Sequence, residues 1–250
     1  MVLRTSTVDI RTADGTADCY LAAPEGEGHH PGVLLYMDAF GLRPRLEEMA
    51  QRIAGEGYVV LVPNVFYRAG RAPLIDTALI ATKDRAKLFE TLSPLIKQLT
   101  PERAMSDADA YLDYLDAHDE VSDAPMGTVG YCMGGALALR TAAHRPERIG
   151  AVGTFHAARL ATDAPDSPHL LADRIRAEVY VASADKDQGM PPEQQQRLDE
   201  ALTEAGVRHE CEQYDGAAHG FTMSDTPAYD EAATDRHWKV LLDLFARNLR

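Results

Sequence analysis

The sequence predicts an α/β protein in which a mostly parallel sheet, entered through an antiparallel hairpin, carries helices on both faces. Three observations lead there. Short apolar, β-branched runs recur between Gly, Pro or Asp, and most are too uniformly apolar for a sheet with one wet face. Amphipathic segments of helical period alternate with them, the pattern of strand–helix–strand units. At the start, "TSTVDIRT" and "ADCYLAAP" flank "ADGT", and Asp-Gly between two extended runs signals a hairpin.

Taken in order, the strand runs after the hairpin are 33–37 ("VLLYM"), 58–62 ("YVVLV"), 128–131, 151–155, 179–183 ("VYVAS") and the weaker 209–214. The helical segments between and after them are 44–54, 74–99, 104–118, 136–143, 192–205 and 229–248. No repeat, charge block or low-complexity linker divides the chain, so one domain over 1–250 is expected. The stretch 67–101 is long enough to form a helical excursion over one end of the sheet.

With 250 residues, 45% of them hydrophobic, the chain can bury a large core. The formal charge of −14 argues against a nucleic-acid partner, which would require a basic stripe. No apolar run is long enough to span a membrane, and the opening "MVLRTSTVDIRTADG" lacks the charged start and apolar run of a signal peptide. Three cysteines cannot all pair, so reduced thiols in a cytoplasmic protein are expected, with no membrane partner. Length and acidity allow a monomer or a homodimer equally.

One cysteine has neighbours that a buried structural thiol does not need. In "VGYCMGGA", Cys132 follows an apolar run, has Gly130 and Gly134 two residues to either side, and precedes an alanine-rich helical segment. A sharp strand-to-helix turn holds a nucleophile in a strained backbone geometry, and small residues at those positions relieve the crowding. The usual form is G-x-S-x-G, which occurs nowhere in the chain; here it is G-x-C-x-G. A thiol at a helix N-terminus beside an imidazole ionises more readily than a free one, so cysteine suits the position.

Such a nucleophile needs an orienting acid and a base, in that chain order on this kind of scaffold. "ADKDQGMPPE" offers Asp185 and Asp187 at the end of one strand, and "YDGAAHGF" offers His219 after the next. The two aspartates could also form a weak cation loop, but no further carboxylates lie at coordinating spacing. His29 and His30 read as an exposed loop, Cys19 and Cys211 as core, and no phosphate-loop or dinucleotide glycine pattern follows any strand. Neither a metal nor a cofactor is expected.

"GYCMGG", "ADKDQGMPPE" and "YDGAAHGF" together resemble the three catalytic segments of the dienelactone hydrolase family, α/β-hydrolases with a Cys-Asp-His triad. The resemblance implies Cys132 as nucleophile, Asp187 as the acid and His219 as the base. It extends to "YMDAFGLRP", where Ala39, with Met133 after the cysteine, is implied to supply the oxyanion-hole N–H groups. Asp38 and Phe40 would line the substrate pocket, and in "PNVFYRAG" Arg68 would grip a substrate carboxylate. Asp38 is one methylene shorter than the family's Glu, and Met223 stands where the type enzyme carries a second carboxylate-binding Arg. His156, in "TFHAARL", lines the pocket or caps the sheet.

The implied function is hydrolysis of lactones or esters of small, anionic carboxylic acids. A broad-specificity carboxylesterase or thioesterase on the same triad is the nearest rival. A catalytically silent α/β-hydrolase scaffold is the rival from another class.

Overall fold

Strand β1 (Leu3–Thr12) folds back on β2 (Gly15–Pro24) in the register Thr12↔Gly15 to Leu3↔Pro24. The turn is therefore Ala13-Asp14, one residue earlier than the Asp-Gly reading, and Gly15 opens β2. This is seen in a computed structural model that describes residues 2–26, 28–80 and 85–250. The chain forms two compact units, Met1–Asp123 with Asp225–Pro227, and Ala124–Ser224 with Ala228–Arg250.

In the first unit the chain continues through β3 (Gly32–Tyr36), α1 (Pro44–Ala54) and β4 (Val59–Pro63). β4 pairs antiparallel with β2 and parallel with β3, giving the order β1-β2-β4-β3. β3 and β4 are buried at every residue, as their unbroken apolar runs require. α2 (Thr77–Ile80) and α3 (Arg85–Gln98) follow, with residues 81–84 of the expected helix 74–99 outside the described residues. α4 (Pro101–Asp116) starts three residues before its expected position because the Thr100 side chain accepts the Arg103 N–H and Pro101 fits the first helical turn. Successive β2 residues show helices on both sides: the Tyr20 hydroxyl accepts from Gln51 of α1, whereas Cys19 lies near Tyr111 of α4.

The second unit comprises β5 (Met126–Tyr131), α5 (Met133–His144), β6 (Ile149–Phe155), a 3₁₀ segment Pro168–Arg174, β7 (Glu178–Ala184), α6 (Pro192–Glu204), β8 (His209–Tyr214) and α7 (Glu231–Asn248). Its four strands pair in parallel in the order β5-β6-β7-β8. Here too β5 is covered on both faces. Thr128 donates to the Ala138 carbonyl of α5, while a Cβ on Gly127 would sit 2.8 Å from Phe245 of α7. Asp230 caps α7 by accepting the Ala233 N–H. Among the described residues no helix is long and apolar enough to cross a membrane.

Candidate active site

β5 ends at Tyr131 and α5 begins at Met133, so Cys132 alone makes the turn, with φ 54° and ψ −117°. Left-handed backbone at a non-glycine residue costs about 1–3 kcal/mol and persists only where the surroundings enforce it. The enforcement is visible. A Cβ at position 130 would lie 2.0 Å from the Gly134 carbonyl oxygen, and one at 135 would lie 2.4 Å from the Ala157 Cβ. The glycines thus let the first turn of α5 pack against the end of β5 and the segment after β6. The Cys132 N–H donates to the Phe155 carbonyl at 3.1 Å, tying the turn to β6. The thiol itself is partly exposed at the positive end of the α5 dipole.

His219 reaches this thiol from the loop after β8. Its Nε2 lies 3.1 Å from Cys132 Sγ and its Nδ1 lies 2.6 Å from Asp187 Oδ2. A carboxylate only accepts, so Nδ1–H donates to Asp187 and Nε2 faces the sulfur. The other Asp187 oxygen accepts the Gly189 N–H at 2.8 Å, which fixes the carboxylate plane. Asp185 turns elsewhere, accepting the Gly216 N–H at 3.2 Å. The two aspartates therefore engage different partners and do not converge as a cation loop. Burial disfavours the His219 imidazolium, but Asp187 and the Cys132 sulfur outweigh it and hold the ring up at about 10.

His156 sits directly behind the base. It is fully buried, its ring stands 5.4 Å from that of His219, and its Nε2 is 2.8 Å from Thr222 Oγ1. Burial, with the His219 and His237 imidazoles nearby, pushes it well below its ordinary range, so it is neutral. Phe221 closes the other side at 5.1 Å. Sequence reading missed Phe221 and Thr222, although both follow His219 within "HGFT".

In the first unit, Asp38 is buried and engaged. Arg43 binds it through two nitrogens at 2.7 and 3.0 Å and reaches Asp225 at 2.6 and 3.2 Å. Its remaining bond goes to the Gly41 carbonyl, so all five guanidinium N–H groups have acceptors. Asp38 also accepts the Phe40 N–H. Burial pushes the Asp38 carboxyl up and Arg43 works against it. Sequence reading missed Arg43, whose one signal was a basic residue in the same loop as Asp38. Ala39 and Phe40 are partly buried against a cluster of Ile75, Ile80, Leu88 and Leu92.

Arg68, expected from the resemblance to grip a substrate carboxylate, binds Asp107 at 2.7 and 3.0 Å and Asp14 at 2.8 Å. Asp107 also accepts from Tyr67, which in turn accepts from Thr12. The reason is topological: the hairpin turn brings Asp14, and α4 brings the buried Asp107, to the same point beyond β4. Met223 is buried.

The arrangement of Cys132, His219 and Asp187 can pass a thiol proton to an imidazole whose far side is held by a carboxylate. The chain is similar to known hydrolases. A model of the dienelactone hydrolase family matches residues 17–249. A carboxymethylenebutenolidase from Rhodococcus opacus is 28% identical over 92% of this chain and 86% of its own. Among solved structures, a dienelactone hydrolase-like promiscuous phosphotriesterase from metagenomic libraries superposes with a TM-score of 0.82 at 25% identity over all of both chains. A dienelactone hydrolase from Anabaena variabilis superposes at 0.71 with 17% identity, over 99% of each chain.

Proposed function

The chain belongs to the dienelactone hydrolase family and is a hydrolase, and from that premise we propose that it cleaves lactones or esters of small carboxylic acids through a thioester on Cys132. The observation that carries this reading is the 3.1 Å approach of His219 Nε2 to Cys132 Sγ, with Asp187 on the opposite ring nitrogen.

His219, its proton affinity raised by Asp187 and the sulfur, holds the Cys132 proton, and the thiolate attacks the carbonyl carbon while charge collects on the carbonyl oxygen. The Met133 N–H, in the first turn of α5, has no partner within the helix and is available to that oxyanion. A donor of this kind is typically worth about 10²–10³ in rate. Collapse breaks the C–O bond, and His219 returns its proton to the departing alkoxide, which in a lactone stays tethered to the acyl group. Water then attacks the thioester, His219 accepts its proton, and the C–S bond breaks to release the acid. Throughout, Asp187 keeps Nδ1 protonated and Nε2 toward the sulfur.

The engagement of Arg68 by Asp14 and Asp107 favours the broad-specificity ester reading over one that demands an anionic substrate. A hydrolysis screen with a dienelactone, neutral aryl esters and acyl thioesters tests both. Turnover of neutral esters that disappears in Cys132→Ala supports the proposal, and no hydrolysis of any of the three contradicts it.

A further inference from the structure

A second group of chemistry-bearing side chains lies away from Cys132. Asp199 of α6 and His209 and Cys211 of β8 bring one carboxylate oxygen, one ring nitrogen and one sulfur within 4.8 Å of one another. His209 and Cys211 are alternate residues of the strand and share the face turned to Asp199. Glu212, on the opposite face, is bonded to Tyr180 and to Arg236 of α7. Cys211, read from sequence as core, is only partly buried.

The hydrogen bonds at His209 decide what this group suits. Its Nδ1 lies 2.8 Å from the Val207 carbonyl, which can only accept, so that nitrogen carries a proton. Nε2 then directs its other valence at Asp199 Oδ1, 3.1 Å away. A nitrogen lone pair and a carboxylate oxygen at that separation need either a proton or a cation between them. Without an ion, a proton on Nε2 joins those two atoms while the Cys211 thiol bonds separately to Asp199; a metal ion takes all three donors at once in place of those protons. A histidine whose far nitrogen is fixed by a backbone carbonyl is also the usual orientation of a metal-bound imidazole.

We propose that Asp199, His209 and Cys211 bind a thiophilic divalent ion of the zinc type, with water completing a tetrahedral set. Bonds of about 2.0–2.3 Å put tetrahedral ligands roughly 3.3–3.8 Å apart, a small adjustment from the present spacing. Burial, with Asp199 and Glu210 adding to it, pushes the Cys211 thiol up to about 12. A dication beside the sulfur reverses that local sign, so coordination sends the thiol proton to solvent. The Asp187 loop enters α6 and the His219 loop leaves β8, so the ion would brace the two elements from which both loops spring.

The test uses the full-length chain, stripped of metal by a chelator, in a Cys132→Ser background that removes the thiol of the other Cys–His–Asp group. Zn²⁺ is titrated against a chromophoric chelator, and Co²⁺ binding is followed by its thiolate charge-transfer absorption. The expected result is one ion per chain with a thiolate band, weakened about tenfold or more by each of Asp199→Asn, His209→Asn and Cys211→Ser. A higher melting temperature with Zn²⁺ in the parent, but not in these variants, accompanies it. Should Cys211→Ser fail to fold, the other two variants carry the comparison. Zn²⁺ affinity unchanged by His209→Asn and Asp199→Asn, or a Co²⁺ complex without the thiolate band, overturns the proposal.

Discussion

Asp187 and His219 meet through a single 2.6 Å contact between Oδ2 and Nδ1, and that contact determines which ring nitrogen is turned to Cys132. Two aspartates in "ADKDQ" could have supplied it, and the backbone selects between them. The Gly189 N–H holds Asp187 toward the imidazole, while the Gly216 N–H draws Asp185 away.

Asp187→Asn is therefore expected to lower kcat on the order of 10⁴-fold, because an amide permits the wrong imidazole tautomer. Asp185→Asn, whose carboxylate bonds the exposed Gly216 N–H and Gln213 amide, should change kcat less than about threefold, within the range of an ordinary surface substitution. Steady-state kinetics of the two variants on one ester decide the matter. A crippled Asp185 variant would reverse the assignment.

His219 also links stability to pH. Its folded-state pKa, about 10, lies above the ordinary histidine value, so the folded chain binds a proton that the unfolded chain has released. This contribution is complete below about pH 6.5 and is lost as pH rises toward 10. The melting temperature of the native chain minus that of His219→Gln should accordingly be largest near pH 6 and shrink steadily up to pH 10. A difference that grows with pH has the wrong sign for the ion pairs described.

Arg68→Met should act on stability before it acts on substrate choice. Its partner Asp107 has a side chain only 2% exposed, and removing the guanidinium leaves that carboxylate buried without its cation. Breaking a buried pair from one side costs about 3–5 kcal/mol. Denaturant unfolding is expected to show a loss of that size. KM should change alike for a carboxylate-bearing ester and its methyl ester. A selective tenfold rise in KM for the acid alone would return Arg68 to a substrate-binding role.

Arg68 also illustrates where sequence reading stops. Its partners lie 54 and 39 residues away, and nothing local distinguishes an arginine bound by them from a solvated one. The Asp225 partner of Arg43 was hidden for the same reason, being 182 residues distant. Cys132, by contrast, was legible because its constraint is local: the strand-to-helix turn needs small residues within three positions, and "GYCMGG" writes them down. Strand runs in β3 to β8 were legible from apolar continuity. Helix starts were less so, because caps such as Thr100 and Asp230 lie outside the periodic pattern.

The measurement closest to the central claim is intact-protein and peptide mass spectrometry of the acylated enzyme. His219→Ala should retain a partly nucleophilic thiol but lack the base that activates water, so an activated aryl ester should leave one acyl group on the Cys132 peptide, released by hydroxylamine. Cys132→Ala, mixed with the same ester, should carry none and turn over none. An acyl group found on another residue, or undiminished turnover by Cys132→Ala, would contradict the account.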